Sequence, residues 1–252
     1  MAFRPPRRDY LPVAPTWERN PDDQDIWRRI TTMPSLALNR AELDFFGTVA
    51  GKTVCVLGVG DGMAPLALAA LGAKVTVVDP TRSALDMLMV RTQLVGIELQ
   101  YREAEFTDLA PLGEGCCELS YAAQVAGIIA DLGRFYSDIF RLLGAGGRLI
   151  VNEYHPFRRI WKLEPGAPRV AFSYFERRRP RTGDDATDIT ISGQAFGRYN
   201  YHWTVSDHFN FLIQAGFQVV GLEEVGDSRE RWELPNLGGL PEQLIIAADK
   251  PR

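Results

Sequence analysis

Five residues, Gly58-Val59-Gly60-Asp61-Gly62, place three glycines where the β-branched run Thr53 to Leu57 gives way to a helical pattern. Glycine lets a backbone turn tightly and approach a ligand closely, and the start of the following helix presents N–H groups without intrahelical partners. Asp79 ends the next β-branched run, about twenty residues further on, where a carboxylate can accept both hydroxyls of a ribose. A plain tight turn would explain the glycines alone; with Asp79 the pattern points to an adenosine-containing ligand. In the G-x-G-x-x-G frame of the dinucleotide folds the third glycine is replaced by Met63, and Asp61 inside the turn would repel a diphosphate. NAD and FAD are therefore disfavoured, and a cofactor with no phosphate and a positive centre suits the turn better.

A second set of chemical residues lies elsewhere. His155, His202 and His208, and Trp17, Trp27, Trp161, Trp203 and Trp232, all fall outside residues 51–151. The half of the chain that carries the glycine turn thus contains neither residue type, and a second ligand is expected to be met by the flanks.

These residues are positioned by alternating short apolar runs and helical patterns, the signature of a parallel sheet covered by helices. Strands are expected at Thr53 to Leu57, Lys74 to Asp79, Leu99 to Glu105, Glu118 to Ala122 and Arg148 to Asn152. Helices are expected from Ala64 to Leu71 with Pro65 in the first turn, and from Ser83 to Val95 behind a Ser83/Asp86 capping box. Leu132, Phe135, Tyr136, Ile139, Phe140 and Leu143 recur at helical spacing. After a long irregular region Ser206 is expected to cap a helix through Ala215. Phe217 to Glu223 and Gln243 to Ala248, with no helix between them, pair as an antiparallel hairpin. The expected fold is α/β: a Rossmann-like, doubly wound, seven-stranded sheet with an antiparallel edge strand. An N-terminal arm and cap segment (1–45) precedes the main domain (46–252), whose insertion at about 156–204 serves as a lid.

Composition excludes several alternatives. The chain has 252 residues, of which 46% are hydrophobic and 24% charged, so it is neither disordered nor a small stapled scaffold. A net charge of -4 gives no global positive field, and nucleic acid is not an expected partner. No run approaches a membrane span, and Met1 to Pro15, rich in proline and arginine, reads as an extended arm rather than a secretory signal. Cys55, Cys116 and Cys117 form neither a disulfide framework nor a zinc spacing, which suits a cytoplasmic protein.

The stretch VCVLGVGDGMAPLALAALGAKVTVVDPT, together with EFTDL (Glu105 to Leu109) and LLGAGGRLIVNE, resembles the class I S-adenosylmethionine-dependent methyltransferases over roughly residues 40 to 250. That resemblance implies S-adenosyl-L-methionine as cofactor. It implies that Gly58, Val59, Gly60, Asp61 and Gly62 pack against the amino-acid half, that Asp79 and Pro80 hold the ribose, and that Glu105 and Phe106 read the adenine. Gln124 lies near the methionine portion. It does not name the methyl acceptor, which is expected to be a small molecule methylated at O or N.

Methyl transfer needs the acceptor aligned and water excluded, and a phenol or ammonium acceptor also needs a base. His155 and Glu153, just beyond the fifth strand, are the first candidates, and His202 is a further one. Tyr154, Trp203, Trp27 and Trp232 are candidate acceptor contacts, while His208 reads as a helix-start residue near the surface. No metal is expected. Arg177, Arg178, Arg179 and Arg181, downstream of Arg158 and Arg159, form a basic patch that reads as a solvated face. Two other functions stay open: a catalytically silent, cofactor-binding regulatory subunit, and an NAD(P)-dependent oxidoreductase. Oligomerisation is possible.

Overall fold

The computed structural model describes residues 26–164, 167–176, 187–191, 194–199, 201–226 and 240–252. Two short helices, α1 (Ile26–Arg29) and α2 (Arg40–Phe46), lead into β1 (Thr53–Leu57), α3 (Met63–Ala70), β2 (Lys74–Asp79), α4 (Arg82–Val95) and β3 (Gln100–Glu103). Next come β4 (Cys117–Ala123), α5 (Leu132–Leu142) and β5 (Leu143–Tyr154). Two ribbons follow, β6 (Trp161–Glu164) with β7 (Ala167–Val170) and β8 (Thr187–Ile191) with β9 (Gln194–Tyr199). The chain ends with α6 (Val205–Gln214), β10 (Gln218–Val225) and β11 (Gln243–Asp249).

The main sheet has seven strands in the order β10-β11-β5-β4-β1-β2-β3. β1 to β5 run parallel, and β11 pairs antiparallel with both β5 and the edge strand β10, so the reversed strand sits one in from that edge. Strand alternation sorts the core into two layers. Val54, Val56, Val75, Val77, Leu119 and Ile150 pack under α1 to α4, whereas Cys55, Leu57, Leu149 and Val151 pack under α5 and α6. Because α3 leaves β1 toward one face and α5 leaves β4 toward the other, the turns after these adjacent strands part and leave a crevice at the carboxyl edge.

Several local expectations need correction. α4 is preceded by Thr81 in the N-cap position, with no side-chain cap bond, and Asp86 instead pairs with Arg82 across one helical turn. α6 is capped by Thr204, not Ser206: Thr204 and Asp207 form a reciprocal capping box, and Ser206 bonds the Thr204 hydroxyl. β3 is shorter than its apolar run suggested. β5 begins directly at the end of α5, because Gly144 and Gly147 are absorbed into the strand rather than stopping the helix. The region after β5, read as irregular, contains the two ribbons; β8 is rich in β-branched residues, which favour strands. α2 was not anticipated, although Asn39 and Glu42 form a capping box. The expected arm at 1–15, Trp17, the patch at 177–181 and Trp232 lie outside the described residues.

Candidate active site

The glycine turn takes the conformation its sequence requires. Gly58, Gly60 and Gly62 have φ of 92°, 55° and 78°, and Gly62 is the N-cap of α3. A Cβ on Gly58 would lie 3.4 Å from Val125, in the turn after β4, and 3.9 Å from Phe106, while one on Gly62 would meet Leu88 at 3.0 Å. The turn therefore forms one wall of the crevice, and the turn after β4 and Phe106 form the other. Asp61 accepts from the Met63 N–H at 3.0 Å, and its own carbonyl accepts from Arg91, whose guanidinium lies 5.9 Å from the Trp27 ring. Burial lowers the Arg91 pKa, and the charge of Asp61 opposes the shift.

Asp79 sits at the end of β2 with its carboxylate fixed: Oδ2 accepts from Val59 N–H at 2.8 Å and Oδ1 from Thr81 N–H at 2.7 Å. A carboxylate offers about four lone-pair positions, so both oxygens retain capacity for hydroxyl donors. Pro80 is half-buried beside it, Glu105 is exposed, and Phe106 is buried against Gly58. Gln124 has a φ of 59°, the one non-glycine among the described residues held in the left-handed region. Such strain costs about 1–3 kcal/mol and concentrates at ligand sites. These features fit an adenosyl cofactor with no phosphate: a glycine cradle that side chains would fill, a fixed ribose-side carboxylate and a turn carrying its own negative charge.

Two buried polar clusters flank the crevice, one on each face. On the α2 face Glu42 accepts from Tyr121 Oη, from Asn152 Nδ2 at 2.7 Å and from Asn39 N–H at 2.7 Å. Burial raises the Glu42 pKa against the opposing effect of those hydrogen bonds, and burial followed by the Glu42 charge raises that of Tyr121. The sequence reading missed this cluster.

On the other face, Glu153 Oε1 accepts from Val125 and Ala126 N–H, both at 2.8 Å, and holds the short turn Ala126–Ile128 after β4. A cavity of about 20 Å³ adjoins it, lined by Ala126, Gly127, Glu153, Tyr154, Pro156, Tyr201, His202, Trp203 and His208. His202 Nε2 donates to the Tyr174 carbonyl at 3.0 Å, which leaves Nδ1 as the unprotonated nitrogen of the neutral ring. His208 is not near the surface as expected: it is 2% exposed, and its Nδ1 meets Tyr136 Oη at 2.6 Å. Burial pushes its pKa down to about 4.

Glu153, Tyr154, His202 and Trp203 thus come together, and His208 joins them. His155 does not line the cavity: its Nε2 bonds Glu224 at 2.8 Å and its Nδ1 accepts from Phe157 N–H at 3.1 Å. Burial lowers its pKa against the opposing effect of the hydrogen bond to the Glu224 carboxylate. Trp203 donates Nε1–H to the carbonyls of Ala126 and Ile129 at 3.0 and 3.1 Å and is a core residue that fastens the turn. Trp27 packs in the opposite core layer. Among the described residues no cluster of His, Cys, Asp or Glu is arranged to hold a metal, and no helix is long and apolar enough to cross a membrane.

Residues 55–151 match the family model described as a methyltransferase domain. A ubiquinone biosynthesis O-methyltransferase from Caulobacter sp. (strain K31) is 30% identical over 125 residues, 49% of this chain and 50% of that protein. The match thus spans about half the length of the curated relative. Among solved structures, an S-adenosylmethionine dependent methyltransferase from Mesorhizobium loti aligns with a TM-score of 0.64 at 23% identity, over 82% of this chain and 94% of that one. The [4+2]-cyclase SpnF aligns with a TM-score of 0.60 at 16% identity, over 89% and 80%. At these identities the structural likenesses establish the fold.

Proposed function

We propose that this chain is a class I S-adenosylmethionine-dependent methyltransferase that transfers a methyl group to an oxygen or nitrogen of a small molecule; the match of residues 55–151 to a methyltransferase domain and the shared fold support this reading. The observation that carries this reading is the crevice itself. Three left-handed glycines follow β1, Gly58 approaches Val125 in the turn after β4 that begins at the left-handed Gln124, and the Asp79 carboxylate is fixed at the next strand end.

In this reading Gly58 to Gly62 receive the amino-acid half of the cofactor, Asp79 and Pro80 the ribose, Glu105 and Phe106 the adenine, and Gln124 the methionine end. When bound, the cofactor supplies a methyl carbon on a cationic sulfur, and the sulfur leaves as a neutral thioether once an acceptor lone pair takes the methyl. The chain's own contribution is alignment and exclusion of water. Asp79 and Asp61 place carboxylates beside a cationic ligand. Glu153 holds the turn after β4 in place and, with His202 and Tyr154, lines the cavity where an acceptor's polar group would sit. His155, bound at both ring nitrogens, holds the chain where it leaves β5 rather than acting as the base. The lid expected of residues 1–45 and about 156–204 falls in part outside the described residues.

Calorimetry with S-adenosylhomocysteine tests the cofactor assignment. Binding should be measurable and should weaken by about tenfold or more in Asp79→Ala, the scale expected when a carboxylate's hydrogen bonds to ligand hydroxyls are lost. Absence of binding, or an unchanged affinity in the variant, would remove the assignment.

A further inference from the structure

His208 lines the cavity yet has no part in the sequence-based assignment. It is 2% exposed, it sits in the first turn of α6, and its only side-chain hydrogen bond among the described residues is the one from Nδ1 to Tyr136 Oη at 2.6 Å. Tyr136 is itself buried and makes no other side-chain hydrogen bond there, so among the described residues its O–H has only His208 Nδ1 to donate to, and a buried hydroxyl donor left without an acceptor would be costly. That bond fixes the tautomer. With Nδ1 accepting, the proton of the neutral ring resides on Nε2, the nitrogen left for a ligand. Burial holds the ring neutral, against the charge of Asp207.

The same cavity is bordered by Glu153, whose Oε1 takes two backbone N–H groups, and by His202, whose Nε2–H is committed to the Tyr174 carbonyl. Its ≈ 20 Å³ is room for a single oxygen-sized group, since one water needs roughly 10–15 Å³ by the same measure. The half-buried Tyr154 and Tyr201 and the buried Pro156 form its apolar sides. A neutral N–H donor and a carboxylate acceptor around one small space are complementary to a hydroxyl group, which accepts through oxygen and donates through its proton. They are not complementary to an ammonium group, which has no lone pair to offer Nε2–H.

We propose that this cavity seats the hydroxyl group of the methyl acceptor, with His208 Nε2–H donating to its oxygen and the Glu153 carboxylate accepting its proton. His208, with its tautomer set by Tyr136, is then the residue that favours O–H groups over protonated amines. The inference rests on the methyl-transfer reading for the word acceptor, but the hydroxyl seat can be tested without turnover. Methyl transfer to that oxygen would form the O–CH3 bond as the methyl–sulfonium bond breaks, its electron pair remaining on the sulfur of a neutral thioether, while the O–H proton passes to the Glu153 carboxylate and on to solvent.

The test uses the full chain labelled with 15N-histidine, and phenol and benzylamine as probes, the latter cationic at neutral pH. The His208 resonances should report the Nε2–H form, and phenol should shift them saturably while benzylamine does not. His208→Gln, which keeps an N–H near the Nε2 position, should retain phenol affinity within about threefold, whereas His208→Leu should lose about tenfold. Phenol that leaves the His208 signals unmoved, an Nδ1–H tautomer, or equal shifts with benzylamine would overturn the proposal using the unmodified chain alone. Calorimetry with S-adenosylhomocysteine in the same samples separates the two readings. Phenol at His208 without cofactor binding defeats methyl transfer and leaves the hydroxyl seat standing, and the converse result defeats only the seat.

Discussion

Replacing Glu42 should reveal how firmly α2 is tied to the sheet. The carboxylate is 2% exposed and accepts from three donors: Tyr121 Oη, Asn152 Nδ2 and Asn39 N–H. Glu42→Ala strands all three, and a buried donor without a partner costs about 1–3 kcal/mol. Relief of the carboxylate's own desolvation offsets part of this, leaving a net loss of about 3–5 kcal/mol. For a chain of this size that corresponds to a melting temperature lower by roughly 6–20 °C. Glu42→Gln keeps an oxygen for Tyr121 and Asn152 but turns an NH2 toward the Asn39 N–H, so its cost should be about 1–2 kcal/mol.

The pH dependence gives a second reading of the same residue. The folded-state pKa of Glu42 lies above its ordinary value of 4.5 because burial outweighs the hydrogen bonds. Between 4.5 and the raised value the folded chain binds more proton than the unfolded chain, so this group's contribution to stability rises as pH falls through that window. The melting gap between wild type and Glu42→Gln should therefore widen on acidification. Differential scanning fluorimetry across pH 5 to 8 measures both effects. A Glu42→Ala variant within about 1 kcal/mol of wild type, or a gap independent of pH, would refute the reasoning.

His208 titrates in the opposite sense. Its folded pKa of about 4 lies below the ordinary 6.5, so the unfolded chain binds the extra proton and stability is lost as pH falls from 6.5 toward 4. His208→Gln should remove that loss, of order 3 kcal/mol, and narrow its melting difference from wild type under acid; a constant difference would contradict the burial argument. Trp203→Phe deletes the N–H shared by the Ala126 and Ile129 carbonyls and should lower the melting temperature by roughly 2–12 °C, read by calorimetry. An unchanged melt with a raised acceptor KM would return Trp203 to the acceptor wall. Gly62→Ala forces a Cβ into a left-handed position 3.0 Å from Leu88, and should cost about 1–2 kcal/mol or more along with cofactor affinity, measured by thermal melt and S-adenosylhomocysteine titration.

What the sequence made legible was local. The glycine turn, Asp79 at a strand end and the seven strand runs depend on neighbours a few residues apart, and each is present where the chain's own periodicity places it, although β3 is shorter and β5 longer than its run. Choices between equivalent local signals were less secure. Thr204 and Ser206 are both good helix caps, and only Thr204 has a carboxylate three residues on, at Asp207, to close the box. The sequence placed His155 ahead of His208, because what separates their surroundings is long-range. The partner of His155 is Glu224, 69 residues away, and that of His208 is Tyr136, 72 residues away.

The dipeptide Asn152-Glu153 shows how the two kinds of information combine. A strand's period of two sends consecutive side chains to opposite faces, so the sequence requires that these residues serve different layers, but it does not say which layers. Pairing with β11, Ile245 opposite Asn152 and Leu244 opposite Glu153, sets the register. Asn152 then meets Glu42 under α2, while Glu153 holds the turn after β4 and borders the cavity beside His208. A slip of one residue would exchange the two and break both clusters together. The antiparallel strand that the sequence marks only as a hairpin partner is therefore what assigns Glu153 to the face that carries the cavity beside His208.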